Sequence, residues 1–121
     1  MTLNDKLIAV LEPLGVPVSP DVYLGDEHEF IAFNFDLLPF RFADNRPTLQ
    51  KALVQVHYYC PMKNNSMNMR LRIRKSLVDG RFTWPEEINA TTAQKNIDGI
   101  QHFVFECESI EPIERNEENE H

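Results

Sequence analysis

Glycine is sparse in this 121-residue chain: Gly15, Gly25, Gly80 and Gly99 stand alone, so there is no glycine-rich loop to cradle a phosphate. Cysteine is rarer still. Cys60 and Cys107 make no C-x-x-C pair, and each lies in or beside an apolar stretch, where a thiol acts as a small hydrophobe. Both are expected as free structural thiols. No G-x-S-x-G elbow is present to raise a nucleophile above a sheet. No apolar run reaches the ~20 residues of a membrane-spanning helix. The opening Met1-Thr2-Leu3-Asn4-Asp5-Lys6 lacks the basic, apolar and small-residue order of a secretion signal, so the expected home is the cytoplasm. An excess of basic charge is missing as well. The formal net charge is −7, which argues against a dedicated nucleic-acid binder. Together these absences point away from an enzyme, and no cofactor or metal is expected.

What is present is the composition of a globular domain, 42% hydrophobic and 26% charged. With no internal repeat and no linker, residues 1–111 are expected as one domain and 112–121 as an acidic, fraying tail. Charge is unevenly placed. Lys63, Arg70, Arg72, Arg74, Lys75 and Arg81 share a stretch whose one acid is Asp79. Glu106, Glu108, Glu111, Glu114, Glu117, Glu118 and Glu120 crowd the end. Such asymmetry suits a protein that orients itself against copies or partners.

Leu3, Leu7, Ile8, Leu11 and Leu14 recur at helical spacing and predict a first helix, capped by Thr2 or Asn4 and closed by Pro13 and Gly15. Val22-Tyr23-Leu24 reads as a short strand. Residues 29–35 read as a central strand, because Phe30, Ala32 and Asn34 alternate with Ile31, Phe33 and Phe35 and both faces are largely apolar. Residues 48–60 predict a long strand whose better core face is Ala52, Val54, Val56, Tyr58 and Cys60. Residues 100–108 predict another, with Phe103, Phe105 and Cys107 opposite Ile100, His102, Val104 and Glu106. Residues 66–78 are ambiguous. Met67 through Arg74 alternates as a strand does, yet Asn64, Asn65 and Ser66 are good caps and Gly80 is a good stop. Propensity and both end signals favour a helix, with Met67, Leu71 and Val78 beside Met69, Ile73 and Leu77 as its apolar face. Phe82-Thr83-Trp84-Pro85 reads as extended, and one helical turn is expected near Thr92-Ala93-Gln94.

Four clusters are candidates for function. Leu37, Leu38, Phe40 and Phe42 surround Pro39, which demands an edge, a bulge or a loop. They are too apolar for a free loop and are expected as a flap buried by a neighbouring subunit. Arg70, Arg72, Arg74 and Lys75 fit a solvated helix face, a contact with acids of another subunit, or weak contact with DNA. Asp26-Glu27-His28-Glu29 is metal-like, but alternation lets at most two side chains share an ion, so a solvated turn is favoured. His57 and Cys60 face opposite ways on a strand, which leaves Cys60 with His102 as an open spatial pair.

The order of short motifs carries a resemblance that no one of them carries alone. Leu11-Glu12-Pro13-Leu14-Gly15-Val16-Pro17-Val18 leads to Tyr23-Leu24-Gly25, Phe30-Ile31-Ala32-Phe33-Asn34 and the turn Ala43-Asp44-Asn45-Arg46-Pro47. Val54-Gln55-Val56-His57 and Gly99-x-x-His102-x-x-Phe105 complete the series. Across residues 3 to about 108 the chain resembles the tail-terminator family of long-tailed bacteriophages and prophages, also called minor tail or neck proteins. The resemblance implies an α+β fold, a mixed or antiparallel sheet of four to five strands packed against two main helices at about residues 3–13 and 65–79. It implies a non-catalytic subunit of a hexameric ring that caps the tail tube and faces the head or neck. The implied partners are further copies of itself, the major tail tube protein and a head-completion or neck protein. DNA would be passing cargo only, and no membrane is involved. Such a subunit would assemble in the host cytoplasm and finish in the virion. A head–tail connector, a tail-completion protein or a small adaptor outside the virion are the alternatives.

Overall fold

The computed structural model describes residues 2–92 and 99–113. Helix α1, Leu3–Leu11, begins with a reciprocal cap: the Asp5 amide donates to Thr2 Oγ1 and the Thr2 amide donates to the Asp5 carboxylate. A single 3-10 turn, Glu12–Leu14, extends it, and Gly15 at φ 90° ends it in the left-handed region. Leu7, Leu11 and Leu14 are buried.

The ambiguous segment is helix α2, Met67–Asp79. Its start is capped by Asn65, whose Oδ1 accepts from the Met67 amide at 3.1 Å. At its end the Arg81 amide donates to the Val78 carbonyl and the Phe82 amide to the Leu77 carbonyl, with Arg81 at φ 73°. This is a Schellman closure with arginine in the left-handed position. Gly80 serves a different purpose, since an added Cβ would lie 2.6 Å from Val10 Cγ2 of α1. Glycine is therefore the residue that lets the two helices meet. Only one of the two expected stripes faces the core. Ile73 and Leu77 are buried and Met69 packs against them, whereas Met67, Leu71 and Val78 are exposed.

A five-stranded mixed sheet lies against these helices, so the fold is α+β. Its strands are β1 (Val18–Pro20), β2 (Phe30–Ala43), β3 (Arg46–Pro61), β4 (Glu86–Asn89) and β5 (Ile100–Pro112). The order is β1-β2-β3-β5-β4, with β1 parallel to β2 and every other pair antiparallel. The expected strand at Val22–Leu24 is absent, and the strand formed is Val18–Pro20. Asp21 explains the difference: its left-handed φ of 63° turns the chain away before Val22 can pair.

β2 and β3 form one long hairpin closed by Asp44 and Asn45, both at positive φ, as a tight two-residue turn requires. Residues 37–42 therefore belong to a strand. The register slips around Phe40, which is the bulge that Pro39 calls for. Beyond Phe33 no described strand pairs with the outer edge of β2, so residues 37–43 form an open-edged arm whose tip, residues 42–47, extends past β5, since β5 pairs with β3 only from Leu49 onward.

Alternation sorts the sheet into two faces. Ile31, Phe33, Ala52, Val54, Val56, Tyr58, Cys60, Phe103, Phe105 and Cys107 are buried beneath the helices. Gln101, on the same face, donates to the carbonyls of Pro61, Met62 and Asn64 and so fixes the turn that leads into α2. The helical turn expected near residues 92–94 falls largely outside the described residues, as does the chain from 114 onward. No described helix is long and apolar enough to cross a membrane.

The core predicts its own weak points. Phe105→Ala removes a fully buried ring and should cost about 3–5 kcal/mol. Met67→Ala touches only an exposed side chain and should stay within about 0.5 kcal/mol. Urea denaturation of both variants measures the contrast.

Candidate assembly surfaces

The basic cluster of α2 divides in two. Arg70 and Arg74 both pair with Glu87 of β4. Glu87 points to the helix face because it stands opposite Phe105. The Arg70 guanidinium carbon also lies 4.2 Å from the centroid of the Phe103 ring, a cation–π contact in a half-buried setting. These two arginines are thus engaged within the chain, where they tie the short edge strand β4 to α2. Arg72 and Lys75 are exposed and make no ion pair among the described residues.

The arm carries the other expected contact residues. Leu37, Leu38, Phe40 and Phe42 are 43%, 47%, 45% and 59% exposed. Leu37 stands opposite Ala52 on the helix face, and Leu38 stands opposite Lys51 on the other. The Lys51 ammonium lies 5.5 Å from the centroid of the Phe40 ring. A cleft of about 340 Å³ beside Leu37, bounded by Leu3, Phe35 and Ile113, continues this surface to the start of α1.

The face of the sheet that no described helix covers is ordered in rows. Asn34, Gln55, Glu106 and Glu86 form one row across four strands, and Asp36, Leu53 and Glu108 form the next. They line a cleft of about 470 Å³ with Trp84 at its rim. At the far end Tyr23, Phe30, Tyr59 and His102 stack in series, with successive centroids 4.4, 4.7 and 4.2 Å apart. His57 closes the row, its Nδ1 2.9 Å from His102 Nε2. Asn34 Nδ2 lies 3.3 Å from His57 Nε2. If that amide donates, neutral His57 carries its proton on Nδ1 and gives it to His102. Burial pushes both imidazoles below their ordinary range, with Glu106 pulling His57 back and His57 depressing His102 further.

Other candidates take structural positions. Cys60 is in the core and His102 is on the opposite face, so the open pairing of the two does not form. Both thiols are free and buried, and burial raises Cys60 and pushes Cys107 up to about 12. In the acidic turn, the buried Tyr58 hydroxyl donates a hydrogen bond to the Glu29 carboxylate at 2.5 Å, and Tyr23 Oη accepts from the Glu27 amide. Among the described residues no three His, Cys, Asp or Glu side chains gather in a way that could hold a metal ion. The roles of Glu87, of the paired histidines and of Glu29 have no local sequence signal, because each partner lies many residues away.

No protein-family model matches the chain, and no curated protein matches it. Solved structures do, 17 chains in all. One, a protein designated only by a sequence number, superposes with a TM-score of 0.55 at 11% identity over 95% of this chain and 99% of that one. At that identity the likeness speaks for the fold alone.

Two outcomes follow from this geometry. Glu87→Ala strands two half-buried guanidinium groups and should cost about 2–3 kcal/mol, with faster hydrogen exchange in β4 than elsewhere. The histidines set a pH slope. Their folded pKa values lie below the unfolded value of 6.5, so their contribution is present above it and is lost as pH falls through the lowered values. The urea midpoint should therefore drop between about pH 7.5 and about pH 5.5, and drop less in His102→Gln. An equal drop in both proteins assigns the slope to other groups.

Proposed function

We propose that this chain is a structural subunit of a long-tailed phage particle, a tail-terminator-like protein whose copies close into a hexameric ring. The ring caps the tail tube and meets the head or neck. The observation that carries this reading is the arm, an open-edged strand and hairpin tip whose Leu37, Leu38, Phe40 and Phe42 are left about half exposed by the chain itself. Covering them would contribute roughly 1 kcal/mol per side chain, so a contact made once per subunit would be worth several. The sequence resemblance supplies the assembly, and an α+β domain with two helices on one face agrees with what it implies.

A non-catalytic role fits the chemistry of the reactive groups. The thiols lie in the core with raised pKa values, and the imidazoles are bonded to one another. In this reading the partners are further copies of the chain, the tail tube protein and a neck or head-completion protein, with DNA passing through the ring. Assembly takes place in the host cytoplasm and ends in the virion. A head–tail connector or tail-completion ring would share the size and symmetry, and its place along the particle separates it from a terminator.

Light scattering and negative-stain imaging of the purified protein test the proposal. The expected result is a mass near that of a hexamer and a central hole, with Phe40→Asp remaining folded but monomeric. A strict monomer at high concentration would sink the ring and favour an adaptor outside the virion.

A further inference from the structure

The arm and the uncovered face of the sheet complement each other in charge. Arg41 and Arg46 flank the tip of the arm, exposed and without an ion pair among the described residues. Asp44, the one acid at the tip, occupies a turn position with left-handed backbone. Around the cleft on the face opposite the described helices stand Asp36, Glu86, Glu106 and Glu108, with Leu53 in its lining and Trp84, 62% exposed, beside it. Lys51 approaches Glu108 only to 3.8 Å. The cleft therefore joins an excess of carboxylate to an exposed indole, which suits an occupant that offers guanidinium and aromatic groups together.

We infer that the arm of one copy seats in this cleft of the next, Arg41 and Arg46 against its carboxylates and Phe40 and Phe42 against Trp84 and Leu53. This rests on the ring reading and names the surfaces that close it. A chain's own arm cannot fill its own cleft. Asp36 lies at the base of the arm and Ala43 at its tip, roughly 23 Å away at ~3.3 Å per residue, and the hairpin tip runs outward past β5. Arm and cleft are separate patches on one molecule, so the contact is head-to-tail and propagates until it closes. A self-matching dimer would need one patch to recognise itself. The exposed Arg72 and Lys75 of α2 lie on the helix side of the sheet and leave the cleft to the arm.

Charge reversal tests the inference. Arg41→Glu/Arg46→Glu changes the arm, and Glu86→Arg/Glu108→Arg changes the cleft, all at exposed positions. Each variant, checked for fold by circular dichroism, should weaken self-association at least about tenfold by light scattering. Mixed one to one, the two should assemble again, because an alternating ring restores every opposite-charge contact. The lone tryptophan, Trp84, reports the same event through a shift in its emission. Wild-type-like assembly of both single-surface variants would overturn this contact and leave the ring standing. Loss in both without recovery on mixing would also overturn it. A wild-type protein that never associates would remove the ring and this contact together.

Discussion

Strand β3 is the constraint on which the rest depends. It pairs with β2 along one side and with β5 along the other for nearly its whole length. Ala52, Val54, Val56, Tyr58 and Cys60 all point to one face and are all buried. Both neighbours take their register from this strand. A slip of one residue would send that apolar set to the open face and bring Leu53, Gln55, His57 and Tyr59 beneath the helices. The stacked aromatic row, the histidine pair and the acidic cleft are consequences of the same register, because each is a line of residues crossing β3.

The helices add a second layer of constraint through two unlike contacts. Gly80 permits close approach of α2 to α1, and Glu87 draws α2 toward the far edge of the sheet through Arg70 and Arg74. Together they fix the rotation of α2, so Ile73 and Leu77 face inward and Met67, Leu71 and Val78 outward. Half of the arginine-rich segment is thereby spent on holding β4 in place. Arg41 and Arg46 at the arm, separated from that segment in sequence, are the cations left facing outward at the projecting end of the sheet.

Local pattern made much of this legible. The leucine spacing before Pro13 and the alternation of residues 48–60 and 100–108 each state a periodicity that the fold keeps. At 66–78 caps and propensity favour the helix that forms, although alternation alone argues for a strand. What escaped is long-range or conformational. Val22–Leu24 has strand composition, but a single left-handed residue, Asp21, ends β1 first. Pro39 asks for an edge, a bulge or a loop, and the fold supplies the first two, which keeps residues 37–42 within a strand in place of the expected flap. Glu87, Glu29 and His102 acquired their partners only when distant strands came into register.

The arm poses a physical problem that its own sequence answers. An unpaired strand edge with apolar side chains invites uncontrolled pairing with other chains. Pro39 removes one edge donor, and the bulge around Phe40 breaks the regular spacing that a template needs. Arg41 adds charge to the same edge. Strand addition is discouraged while the side chains stay available, so recognition of the arm falls to its aromatic and guanidinium groups. A contact made through side chains needs a shaped and charged receptor, whereas strand addition would need only another edge. The face of β3 and β5 opposite the described helices provides such a receptor, since it keeps the carboxylates of Glu86, Glu106 and Glu108 around one cleft. The same pleat that buries the core thus leaves, on its reverse, a surface suited to the projecting end of the sheet.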